Sequence, residues 1–151
     1  MNKIATLSIV ALAFVGGFII FYNPKPVSNS VQESSLTPST QQKWETEIDE
    51  QANVTVTVTP VDISSQSKEW RFDVVMDTHS VELDQDMTKI AILIDEQSNE
   101  YQPLAWEGPT GGHHREGVLT FARITPTPKS IELKITNIGG VPSRSFAWNL
   151  Q

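Results

Sequence analysis

The alternation of apolar and polar positions along this chain changes character twice. Ile4 to Tyr22 read IATLSIVALAFVGGFIIFY, nineteen residues with no charged side chain. As a helix this run spans about 28 Å, close to the hydrocarbon core of a bilayer at about 30 Å. Phe21 and Tyr22 fall where aromatic rings settle at an interface, and Gly16 and Gly17 are tolerated better in lipid than in water. The pattern predicts an N-terminal transmembrane signal-anchor within residues 1–22. Lys3 before the span favours a cytoplasmic N terminus and an extracytoplasmic C-terminal domain. A cleaved signal peptide is the alternative, but its apolar region is normally shorter, and Ser28 and Ser30 make a poor cleavage site beyond two prolines. Either reading exports the rest of the chain.

Residues 23–42, NPKPVSNSVQESSLTPSTQQ, are rich in Ser, Thr, Gln and Pro and nearly free of large apolar residues. Such a stretch cannot bury enough surface to offset its ordering entropy and reads as a flexible linker. Lys43–Ala52 is transitional, either a frayed helix or a lead-in strand. From Asn53 the period is two. Val54, Val56 and Val58 alternate with Thr55, Thr57 and Thr59 until Pro60. Trp70, Phe72, Val74 and Met76 share one face of Glu69–Asp77. Further strands are expected at Lys89–Asp95, Glu100–Trp106, Gly117–Ile124, Ser130–Thr136 and Ser145–Leu150, with Pro103 confining its strand to an edge. Seven short strands in residues 43–151 predict an all-β domain, an immunoglobulin-like two-sheet sandwich. A small barrel is the alternative.

Composition narrows the function. The chain has 151 residues, a formal net charge of −7 and no cysteine. Disulfides, zinc–thiolate sites, cysteine nucleophiles and blue-copper centres are therefore excluded. Binding to nucleic acid or to anionic headgroups is disfavoured, because both need clustered Lys and Arg.

All three histidines lie in the exported domain. His79 follows the second strand, and His113 and His114 sit in Gly111-Gly112-His113-His114-Arg115 between two strands. Loops at sandwich ends are common places for binding residues, and imidazole suits zinc and copper. Met76 and Met87 flank His79 in sequence, and thioether with imidazole is a copper ligand set that needs no thiolate. Met76 points to the core, so Met87 is the candidate. The sharp expectation is a site for copper first and zinc second, made by His79, His113, His114 and Met87. The plain reading is a polar turn, with His79 helping to close it.

Other chemistry is thin. Glu82, Asp84 and Asp86 could offer oxygens to calcium, but an EF-hand's glycine and closing glutamate are missing and a solvated loop is the better reading. No GxSxG, HExxH or phosphate-binding glycine loop occurs, so no enzyme activity is expected. Glu107 and Glu116 bracket the histidine loop as polar shoulders, and Trp106 beside Gly108-Pro109 lines or plugs that end.

The run WEGPTGGHHREGVLTF (Trp106–Phe121), with DTHSVELD (Asp77–Asp84) before it, resembles a group of uncharacterised membrane-anchored prokaryotic proteins with an exported immunoglobulin-like β domain. The likeness covers about 45 contiguous residues, Asp77 to Phe121. It implies no activity, only that the histidine-bearing segments are the distinctive part. The expected function is a non-catalytic, membrane-anchored extracytoplasmic binding module. The alternative is a ligand-free structural domain meeting an envelope protein through a free sheet edge.

Overall fold

A computed structural model describes residues 43–151. The expected anchor and linker lie outside the described residues, among which no helix is long and apolar enough to cross a membrane. Nine strands and one short helix follow in order: β1 (Glu47–Gln51), β2 (Val54–Asp62), β3 (Glu69–Thr78), α1 (Met87–Ile90), β4 (Ala91–Asp95), β5 (Glu100–Tyr101), β6 (Pro103–Glu107), β7 (His114–Ala122), β8 (Ser130–Ile138) and β9 (Val141–Asn149). They form two antiparallel sheets. One has the order β1-β2-β3-β7-β6 and the other β5-β4-β8-β9.

The period-two alternation does what it predicts. Val54, Val56 and Val58 of β2, Trp70, Phe72, Val74 and Met76 of β3, and Leu119 and Phe121 of β7 point inward from the first sheet. Leu93, Leu133, Ile135, Phe146 and Trp148 meet them from the second. Phe72 lies at the centre, edge-on to Phe121 with ring centroids 5.8 Å apart and 5.4 Å from the Trp148 ring. Both buried indoles find acceptors. Trp70 Nε1 donates to Ser64 O at 3.0 Å and Trp148 Nε1 to Glu45 O at 2.7 Å. Removing one such side chain down to Ala costs about 3–5 kcal/mol in a packed core.

The structure has more strands than the seven expected, for local reasons. The transitional segment supplies β1, the lead-in strand. Glu100–Trp106 divides in two: β5 pairs with β4 in one sheet and β6 with β7 in the other. The chain crosses between sheets just before Pro103, which has no N–H to offer a ladder. Lys89 and Ile90 belong to α1, whose N-cap Asp86 accepts from Thr88 N–H at 3.0 Å. Pro60 stays inside β2, accommodated by a register shift between Pro60 and Asp62. Gly139 and Gly140, with φ of 61° and 78°, form the two-residue turn that lets β9 begin at Val141.

Both open sides of the sandwich are covered. α1 lies against β6. β1 lies against β9 through Arg144, which is 1 % exposed. Its guanidinium pairs with the Asp49 carboxylate and donates to Gln51 O at 2.9 Å and Val54 O at 3.1 Å. These two carbonyls bracket the turn containing Ala52, whose φ of 53° is a left-handed conformation that a residue with a Cβ rarely adopts. The buried cation thus holds the β1–β2 turn against β9. Replacing Arg144 by Ala leaves these carbonyls and the Asp49 carboxylate unmatched, and urea unfolding is expected to show a loss of about 3–5 kcal/mol.

Candidate functional site at the histidine end

The ladders of the first sheet bring Thr78, His113 and His114 to one end of the sandwich. β3 and β7 pair so that Asp77 stands directly opposite His114. His114 Nδ1 bonds to Asp77 Oδ1, and its Nε2 lies 4.0 Å from Glu116 Oε2, two residues along the same face of β7. His113 faces the other way, with its Nε2 3.8 Å from Glu82 Oε2. Glu82 also accepts from Gly112 N–H at 2.6 Å, so one carboxylate ties the loop after β3 to the glycine loop before β7. Gly112 has a φ of 117°, which its lack of a Cβ permits. Main-chain bonds from Thr78 N–H to His113 O (2.9 Å) and from Leu83 N–H to Gly112 O (3.0 Å) close the same two loops together.

Beneath this surface lies Arg115, 1 % exposed. Its Nη1 donates to Leu83 O at 3.0 Å and to Gln85 O at 2.9 Å, and its Nε donates to Pro109 O at 3.1 Å. The guanidinium carbon sits 5.5 Å from the centre of the Trp106 ring, and Trp106 Nε1 donates to the same Pro109 carbonyl at 3.1 Å. The ring lies close against two glycines. A Cβ at Gly117 would come within 2.7 Å of it and one at Gly108 within 2.6 Å. Burial lowers the pKa of Arg115, while Asp84 and Asp86 nearby favour its charge. One buried cation therefore gathers carbonyls from both loops into a single unit.

His113 and His114 each take a different carboxylate, and His79 stands exposed in a turn closed by Ser80 N–H to Thr78 Oγ1 at 3.3 Å. The backbone bond from Thr78 to His113 keeps residue 79 beside the glycine loop. Met87 corrects the expectation made for it. As the first residue of α1 it is fully buried in the core, so its sulfur is not presented beside the exposed histidines. Among the described residues no three His, Asp or Glu side chains stand together as a set able to hold a metal ion. The sequence reading assigns no role to Arg115 or Asp77 and weighs Glu82 only as a calcium ligand. The alternation of β7 carried a signal for the first, since inward Leu119 and Phe121 put Arg115 on the same face.

Asp77, by its hydrogen bond first and its charge second, raises the pKa of His114 above the ordinary 6.5. A raised folded-state value stabilises the fold fully below about pH 6.5, and that contribution is lost as pH rises through the raised value. An NMR titration should show His114 titrating above its ordinary value, and Asp77→Asn should bring it back. For Arg115, substitution by Met fills a similar volume but removes every donor to Leu83, Gln85 and Pro109. Urea unfolding is expected to show a loss of about 2–4 kcal/mol.

No protein-family model and no curated protein matches this chain. Among solved structures, the chain is similar to a crystal structure of a DUF4426 family protein from Pseudomonas aeruginosa PAO1. The two are 12 % identical, the match covers 68 % of this chain and 93 % of that one, and the TM-score is 0.43.

Proposed function

We propose that this protein is a membrane-anchored, extracytoplasmic, non-catalytic binding module whose partner meets the histidine end of an immunoglobulin-like sandwich. The observation that carries the reading is Arg115. A charge buried to bond three loop carbonyls adds a core-side tie to two loops already joined at the surface, and fixed polar loops on a sandwich end are what recognition uses. The surface so held displays His79, His113 and His114 among Asp77, Glu82 and Glu116. It suits a cationic or hydrogen-bonding partner. The immunoglobulin-like label is meant broadly, as two facing antiparallel sheets, with the β1-β2-β3 meander as its own feature. The resemblance of Asp77–Phe121 to membrane-anchored proteins supports the same location. Docking through a sheet edge, the alternative envelope role, has its own support: β1 and β6 end the first sheet, and Ile48 on β1 and Leu104 on β6 are exposed.

The sharper reading is capture of copper or, second, zinc. The nearness of residue 79 to the glycine loop favours it. A bound ion would draw His113 from Glu82 or His114 from Asp77, or use a partner's ligand. Calorimetric titration of residues 43–151 with copper and zinc tests this, beside His79→Ala, His113→Ala and His114→Ala. Binding at about micromolar or tighter, lost in His79→Ala and in one loop variant, supports ion handling. Binding indifferent to all three substitutions removes the metal and leaves a protein partner at this end.

A further inference from the structure

β1 is held in the ladder by one neighbour only, pairing with β2 from Glu47↔Val58 to Gln51↔Val54. The turn that folds it back is Ala52-Asn53, and Ala52 holds a φ of 53°. A left-handed backbone costs a residue that carries a Cβ, and the β8–β9 turn meets the same demand with Gly139 and Gly140. A short, strained hinge beside a strand paired on one edge favours opening into an extended link. We propose that β1 exchanges between two copies of this chain: Ala52-Asn53 extends, and the β1 of each copy takes the place of β1 in the other.

The groove that β1 leaves is specific for β1. Arg144, buried, directs its guanidinium to the Asp49 carboxylate and to Gln51 O, both on β1. Trp148 Nε1 donates to Glu45 O at 2.7 Å, Thr46 Oγ1 bonds to Thr59 Oγ1 at 2.9 Å, and the Trp44 ring packs against the core. An empty groove strips a buried cation of its counter-ion and a buried indole of its acceptor, and both losses are costly. Its occupant must bring an aromatic ring, a carboxylate and carbonyls at the places of Trp44, Asp49, Glu45 and Gln51. The β1 segment of a second copy supplies all of them in the same register. Each of these contacts is regained in the exchange, so relief of two strained hinges is set against the entropy of association. Val54 stands opposite Thr78, so the hinge lies at the histidine end and the exchange draws two such ends together. It does not depend on what that end binds.

The chain has no cysteine, so introduced thiols report without background. Ile48 and Thr57 stand directly opposite each other on the outer face of β1 and β2, close enough for a disulfide once both are replaced by cysteine. The full chain carrying Ile48→Cys and Thr57→Cys would be refolded from urea in an excess of zwitterionic micelles, at about 5 μM and at about 500 μM, then oxidised and run on non-reducing gels. In the dilute sample the bond closes within each chain, which shows that the variant folds. In the concentrated sample the proposal expects a covalent dimer, linked from β1 of one copy to β2 of the other, that neither Ile48→Cys nor Thr57→Cys alone forms to a comparable extent. Adding Ala52→Gly, which removes the hinge strain, is expected to raise the concentration needed for exchange about tenfold. Monomer with an internal bond at both concentrations overturns the proposal. So does a dimer that the single variants form equally well, which reports only collision of exposed thiols, or one that Ala52→Gly leaves unchanged, because hinge strain is what drives the exchange.

Discussion

Two arginines sit inside this sandwich, and its two loop-bearing sides depend on them. Arg115 and Arg144 are both 1 % exposed. A buried guanidinium is costly unless its donors are met, so each fixes surrounding carbonyls into one arrangement, although Arg144 Nε itself has no partner among the described residues. Arg144 takes the carbonyls around the β1–β2 turn together with Asp49. Arg115 takes Leu83, Gln85 and Pro109, and its excess charge is answered at longer range by Asp84 and Asp86. What the arginines add is geometry: a particular turn pinned to β9, and a particular pair of loops joined at the histidine end.

From that constraint the division of the domain follows. At one end, short links between two loops place His113 and His114 on separate carboxylates and leave His79 beside them. At the other end, where the described chain begins and ends, Asp95, Glu96 and Glu132 line shallow, mainly polar depressions. Loops at the ends of a sandwich are where recognition is most easily built.

Much of the fold was legible because its signal is local. Strict alternation in Val54–Thr59, Glu69–Asp77 and Ser130–Thr136 places the side chains without further knowledge. The boundaries that escaped depend on partners far along the chain. Glu100–Trp106 divides because its two halves pair with different strands, and Lys89–Ile90 coil because Asp86 caps them. The candidate site was half legible. Its place, between the loop after β3 and the glycine loop, was readable from the histidines and glycines. Its organisation was not, because charged residues at inward positions are easily taken for exceptions to a pattern. Arg115 shares a face with Phe121, and Arg144 shares one with Phe146 and Trp148. Met87 shows the converse: near the histidines in sequence, it is carried into the core by a helix that the alternation did not reveal.

Amide hydrogen exchange tests the central claim most directly, that the histidine end is a pre-formed surface built on a buried cation. If it is, the Thr78, Leu83 and Gly112 amides, which bond to His113 O, Gly112 O and Glu82 Oε1, exchange as slowly as amides within β3 and β7. Exchange of all three at the rate of an open loop, with β3 and β7 still protected, would contradict it and leave the two loops independent of each other.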